Sequence, residues 1–191
     1  MRVPLVHAAA LALLCPLVSA QELKLLPSDG AAYDYFGSSV AISGTTAIAG
    51  AYGGGDNGPY SGSAYLFDAI TGAQMAKLLP SDGTTSDYFG KSVAISGATA
   101  IVGAYYDDDN GSETGSAYLF DTTTGTQLAK LLASDRAPGE YFGYSRAISG
   151  PTAIVGAAWD AARGSTPVSP SLLTPATATP HATRPPPHHP P

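Results

Sequence analysis

Cysteine and histidine are absent from the whole stretch between residues 21 and 160. The single cysteine, Cys15, and His7 precede it; His181, His188 and His189 follow it. Without either residue the stretch has no Ser-His-Asp or Cys-His nucleophile, no disulfide framework and no site for most transition metals. Positive charge is also scarce: Lys+Arg 9 against Asp+Glu 15 gives a net charge of −6. Such a chain has no electrostatic footprint for nucleic acid and no basic cluster to hold an anionic membrane surface. Helical periodicity is missing throughout, and no Gly-rich loop opens a helix to cradle a phosphate. The 44% of hydrophobic residues is nevertheless enough for a core.

The first 20 residues read as a secretory signal. Arg2 supplies the positive charge, an apolar stretch runs from Val3 to Val18, and Val18-Ser19-Ala20 is a small-residue cleavage pattern. Cys15 falls inside this segment and is a poor lipid-anchor site, so the mature chain starting at Gln21 would carry no cysteine. No later apolar run is long enough to span a bilayer. The expectation is a secreted or extracellular protein, with the periplasm as the bacterial equivalent, and no membrane association after cleavage.

Internal repetition dominates what is present. Residues 24–76 and 77–129 align without a gap at a period of 53, with 37 of the 53 pairs identical by direct comparison. A third copy runs from Lys130 to about residue 160. "KLL" opens each unit at Lys24, Lys77 and Lys130, and "YFG" recurs at Tyr35, Tyr88 and Tyr141. "GSAYLFD" appears at Gly62–Asp68 and Gly115–Asp121. One unit reads as four short strands: Ser39 to Ser43, Thr46 to Ala51, Ser63 to Asp68 and Ala73 to Leu79. Gly44 turns the first pair, and Asp68 with Gly72 turns the last. "AYLF" and "TAIAGA" are apolar on both faces, as when a small sheet is packed on both sides. The fold class is all-β: an incomplete β-propeller of about two and a half four-stranded antiparallel blades.

These residues resemble a known family. Phe-Gly, followed about a dozen residues later by Gly50-Ala51, Gly103-Ala104 or Gly156-Ala157, is similar to the FG-GAP repeat of integrin-α-like β-propellers. The likeness is greatest to a secreted subclass, and it covers residues 22 to about 160. It implies a propeller that binds or adheres through its blade-edge loops and is not an enzyme. The calcium loop of many such blades would sit between the first two strands. Only Gly44-Thr45, Gly97-Ala98 and Gly150-Pro151 stand there, so that role is not carried over.

Three regions therefore follow: a signal at 1–20, repeats at 21–162, and a Pro/Thr-rich tail at 163–191. The tail holds nine of the 16 prolines and almost no large apolar residue besides Leu172 and Leu173, so it is expected to be disordered. It is a stalk, or a shifted reading frame that cuts the third unit short. Arg146 stands where the other copies have Val40 and Val93, at an expected sheet–sheet contact, and is costly there unless paired. Residues 22–27 look like a fourth strand without its blade. Both end faces are expected to be open, with an unpaired edge at Thr152 to Ala157, which implies self-association through open blade edges.

The best metal candidate is the acidic loop of Asp107, Asp108, Asp109, Asn110 and Glu113, whose oxygens suit calcium. Its shared core, Asp-Asn-Gly, is also a turn signature, and the ligand spacing of an EF-type loop fails at Tyr106. No other cofactor is implied. Asp34, Asp87 and Glu140 each precede Phe by two residues, as an acidic ring or as turn caps. Tyr52, Tyr60, Tyr105 and Tyr106 cluster near the loops after the second strands, as a binding surface or as packing between blades. The leading functional expectation is a secreted, non-enzymatic binding or adhesion module for an unknown protein or carbohydrate. The alternatives are a quinoprotein-like propeller enzyme fragment, suggested by "AYLFDAITG" although the tryptophan usual late in each such repeat occurs only as Trp159, and a truncated product without function.

Overall fold

The computed structural model describes residues 22–109, 111–134, 138–158 and 170–173. The signal segment, Asn110, Trp159 and all four histidines lie outside the described residues. Among those described, every regular element is a strand. The first sheet contains β1 (Ser39–Ser43), β2 (Thr46–Ala51), β3 (Ser63–Asp68) and β4 (Gln74–Leu78). The second contains β5 (Ser92–Ser96), β6 (Thr99–Ala104), β7 (Ser116–Asp121) and β8 (Gln127–Leu131). The third contains β9 (Ser145–Ser149), β10 (Thr152–Gly156) and β11 (Ser171–Leu173). All neighbours pair antiparallel in sequence order. This is the incomplete propeller of about two and a half blades that the repeats predict.

Local chemistry explains the hairpins. Gly44, Gly97 and Gly150 turn the first strand pair of each sheet with φ of 58°, 55° and 53°, in the left-handed region. Asp68 and Asp121 organise the turn after the third strand: each Oδ1 accepts from the two backbone amides at positions 70–71 and 123–124. Those hydrogen bonds lower both carboxyl pKa values.

Consecutive sheets meet face to face, and the first strands β1, β5 and β9 lie side by side. The first joint encloses Ile48, Leu66 and Leu78 from one sheet against Phe89, Val102 and Phe120 from the next. The second encloses Ile101, Ala117 and Leu119 against Phe142, Ala153 and Val155. Each joint carries the same backbone stitches. Ser39 and Ser92 donate from Oγ to the carbonyls of Gly90 and Gly143, both at 2.8 Å. Phe89 N and Phe142 N donate to Ser61 O and Thr114 O across the joint. Gly62 and Gly115 sit against those phenylalanines, where a Cβ would run into their backbone.

Three expectations are corrected. The tail is not disordered throughout: Ser171–Leu173 pairs with β10, so that edge is not left open along its length. The period explains the register. Leu172 lies 53 residues after Leu119 and 106 after Leu66, and it pairs with Ile154 as they pair with Ile101 and Ile48. Residues 22–27 form no strand. Instead Leu25 and Phe36 pack over Ala47, Ala49, Tyr65 and Phe67, so the first sheet's outer face is largely covered. On the end sheets, Val40 and Ile42 at one end and Ile154 and Leu172 at the other are exposed. Phe89 and Phe142 are fully buried, while Phe36 is half-buried, with no sheet preceding it among the described residues.

Candidate functional site

The loop that carries each Tyr-Phe-Gly places its three residues in different environments. Phenylalanine enters the joint, and glycine turns the chain into the next sheet at φ of 80° to 90°. The tyrosine before them takes φ of 53° at Tyr35, 54° at Tyr88 and 56° at Tyr141. A left-handed tyrosine costs about 1–2 kcal/mol, so three in equivalent places are a feature needing explanation. The loop after each second strand supplies the facing rings: Tyr52 in the first copy, Tyr105 and Tyr106 in the second.

Together these rings make one continuous run. Tyr35 stacks on Tyr52 at 4.7 Å between ring centres. Tyr88 follows at 6.0 Å from Tyr52, with Tyr60 5.6 Å away on its flank. Tyr88 then meets Tyr105 at 5.7 Å and Tyr106 at 5.2 Å. Tyr106 meets Tyr141 at 5.1 Å, and Tyr105 meets Tyr144 at 5.5 Å, nearly perpendicular at 84°. A cleft of about 190 Å³ opens between Tyr105, Tyr106, Tyr141, Tyr144 and Ala158. At the preceding joint the Lys91 ammonium lies over the Tyr52 ring, 4.0 Å from its centre. Burial, then the neighbouring Tyr106 and Tyr88, push the Tyr105 hydroxyl up to about 12. The hydrogen bond that Tyr141 donates to Glu113 at 2.6 Å pushes its hydroxyl up to about 12 as well.

The sequence singled out Tyr52, Tyr60, Tyr105 and Tyr106, and all four lie in this run. It missed Tyr35, Tyr88, Tyr141 and Tyr144. The signal for the first three was the tyrosine at the head of each "YFG".

The acidic loop has a different set of partners. Lys130 places its ammonium 2.9 Å from Asp107, 2.7 Å from Asp109 and 2.8 Å from Asp82. Asp107 is buried and also accepts from the Tyr118 hydroxyl at 2.6 Å. Burial pulls the Lys130 pKa down, but the carboxylate hydrogen bonds outweigh it and the net shift is upward. Lys77 makes the same arrangement one repeat earlier with Asp29 and Asp56, both at 2.6 Å, where Gly54 replaces Asp107. Asp108 is exposed, Glu113 binds Tyr141, and Asn110 lies outside the described residues. Asp107 and Asp109 thus converge on a lysine, and Asp108 and Glu113 do not join them. Among the described residues no three His, Cys, Asp or Glu side chains group as metal ligands.

Asp34 and Asp87 act as turn caps, accepting from Ala31 N and Thr84 N at 2.6 Å. Glu140 is buried at the equivalent place. Burial raises Asp87 to about 6, despite the Thr84 hydrogen bonds, with Asp107 and Asp108 adding to the rise. Among the described residues no helix is long and apolar enough to cross a membrane. Trp159, on which the quinoprotein comparison turns, is not among them.

Comparison with known proteins finds no match among curated sequences. A solved structure titled as the computationally designed Ika8 protein is similar over 63% of this chain at 18% identity, with a TM-score of 0.42. The chain covers 30% of that protein. The family model described as "FG-GAP repeat" matches three times in succession, at residues 20–67, 73–120 and 126–169. The third match continues past residue 160, the expected end of the repeat, and stops just before β11. With one match for each sheet and the Phe-Gly of every match at the entry to its sheet, the chain belongs to the FG-GAP repeat family.

Proposed function

We propose that this chain is a secreted, non-enzymatic binding module that takes a protein or carbohydrate ligand on its tyrosine-lined edge. The single observation that carries the reading is the unbroken run from Tyr35 to Tyr144, held partly by tyrosines in left-handed backbone. Packing alone does not require them, because the buried contact at each joint is made by the neighbouring phenylalanine. Tyrosine offers a large rigid face with a polar tip and loses little rotamer entropy on binding. The signal-like residues 1–20 support secretion.

The test is retention of the full chain on immobilised polysaccharide and extracellular-protein panels, compared with Tyr88→Gly. Glycine relieves the left-handed strain, which offsets part of the lost ring contacts, and a thermal melt checks that the variant is folded. Retention that drops about tenfold assigns the ring to the ligand. Retention unchanged in Tyr88→Gly and in Tyr35→Gly, or absent from every panel, removes the proposal.

A further inference from the structure

The two joints place equivalent side chains around equivalent space. At the first they are Tyr52, Gly53, Tyr88 and Lys91; at the second, 53 residues on, Tyr105, Tyr106, Tyr141 and Tyr144. The loop geometry is the same. Lys91 N donates to Tyr88 O and Tyr144 N donates to Tyr141 O, both at 3.1 Å. Only two side chains of the set differ. Gly53 becomes Tyr106, which adds a wall. Lys91 becomes Tyr144, which removes a cation and adds another wall.

We infer that Tyr105, Tyr106, Tyr141 and Tyr144 form an aromatic cage for a quaternary alkylammonium group. The first joint shows what its tyrosine accepts, since an ammonium already lies 4.0 Å from the centre of the Tyr52 ring. At the second joint the chain supplies no such group from the equivalent position, and four rings bound a cleft of about 190 Å³ instead. Their planes stand at steep angles: 77° between Tyr105 and Tyr106, 84° between Tyr105 and Tyr144, 52° between Tyr106 and Tyr141. Steeply angled rings can turn more than one face toward a common space, as a compact cation needs, whereas flat stacked rings cannot. Ring faces carry negative potential and attract cations most where water is excluded. Tyr141 donates its hydroxyl to the Glu113 carboxylate, which leaves its ring richer in electrons and puts a negative charge beside the cleft. The net charge of −6 favours a cationic ligand over an anionic one.

This inference rests on reading the tyrosine edge as a binding surface and names the ligand chemistry of one part of it. The probe is choline, titrated into the full chain by calorimetry at constant ionic strength. The comparison ligand is its neutral carbon isostere, 3,3-dimethylbutan-1-ol. Choline is expected to bind at one site per chain, about tenfold or more tighter than the isostere. Tyr144→Lys is expected to abolish choline binding, because the new lysine places its own ammonium over Tyr105 as Lys91 does over Tyr52. Tyr105→Leu, which keeps an apolar wall, is expected to weaken it about tenfold. A trimethyl-lysine peptide binding tighter than choline identifies a modified protein side chain as the source; the reverse order identifies a free or lipid headgroup. Equal affinity for the isostere, or choline affinity unchanged in Tyr144→Lys and Tyr105→Leu, overturns the cage. So does the absence of saturable binding. Retention on the ligand panels that persists when choline fails leaves the broader binding function standing, so the two failures are distinguishable.

Discussion

The first and second joints of this molecule share a skeleton and most of their core side chains, and differ at a few places. Both have a buried phenylalanine, a serine reaching the glycine carbonyl of the next loop, and a glycine that lets the two backbones touch. A few side chains outside that skeleton have diverged. Phe89 meets Tyr118 and Phe120 edge to face at 5.5 and 5.8 Å, whereas the corresponding places around Phe142 hold Ser171 and Leu173. Val93 in the first joint becomes Arg146 in the second. Arg146 donates from Nε to Ile101 O at 3.1 Å and from one terminal nitrogen to Gly143 O at 3.2 Å. Its other terminal nitrogen is buried without a partner among the described residues. Burial pushes its pKa well below the usual value. The difference teaches that backbone hydrogen bonds fix the spacing of the sheets, and the side chains then vary within that spacing.

The largest effect that would separate the joints comes from removing their phenylalanines. Phe89→Ala should cost about 3–5 kcal/mol, since it opens a cavity among aromatic neighbours. Phe142→Ala should cost less, because its neighbours include small residues. Denaturant unfolding of both variants checks this, and equal losses would show that the joints are energetically alike. Next comes the lysine pair. Lys130→Met leaves the buried Asp107 uncompensated and should cost about 3 kcal/mol. Lys77→Met, with more exposed partners and no third carboxylate, should cost about 1 kcal/mol.

Arg146→Val restores the first joint's side chain at the second. Removing a buried donor without a partner should raise stability by about 1–3 kcal/mol. A fall in melting temperature would mean that the two carbonyl hydrogen bonds matter more than the orphaned nitrogen. The last effect is on pH dependence. Asp87 has a folded pKa near 6 against the ordinary 3.8. Between those values the unfolded chain has released a proton that the folded chain keeps, so stability falls as pH rises from about 4 to 6 and levels off above. Asp87→Asn should flatten that slope, and thermal melts across the range measure it. A slope of the opposite sign would place the proton elsewhere.

Much of the strand pattern was legible because it is local. Ser39–Ser43, Thr46–Ala51 and Ser63–Asp68 begin and end where the sequence places them, since glycine and aspartate turns act over two or three residues. The fourth strand was read slightly long, and Gln74–Leu78 is what pairs. The partners of the acidic loop were not legible for a physical reason. A run of carboxylates looks the same whether it awaits a metal ion or surrounds a lysine, and Lys130 approaches from 21 residues beyond Asp109.

The third sheet shows the boundary most clearly. Its first two strands follow from the repeated "AISG" and "TAI". Nothing in the composition around Leu172 suggests a strand, and only the position at a multiple of 53 hints at one. Pairing with an available edge completes what local propensity does not. The sequence by itself determined the repeat, its period, the all-β class and the turns, because each depends on neighbours within a few residues. Only the tertiary structure decided which tyrosines meet, which carboxylates hold a lysine and which short segment closes the third sheet. Most of those outcomes depend on residues some 16 to 48 positions apart, brought together when strands pair and one sheet docks on the next.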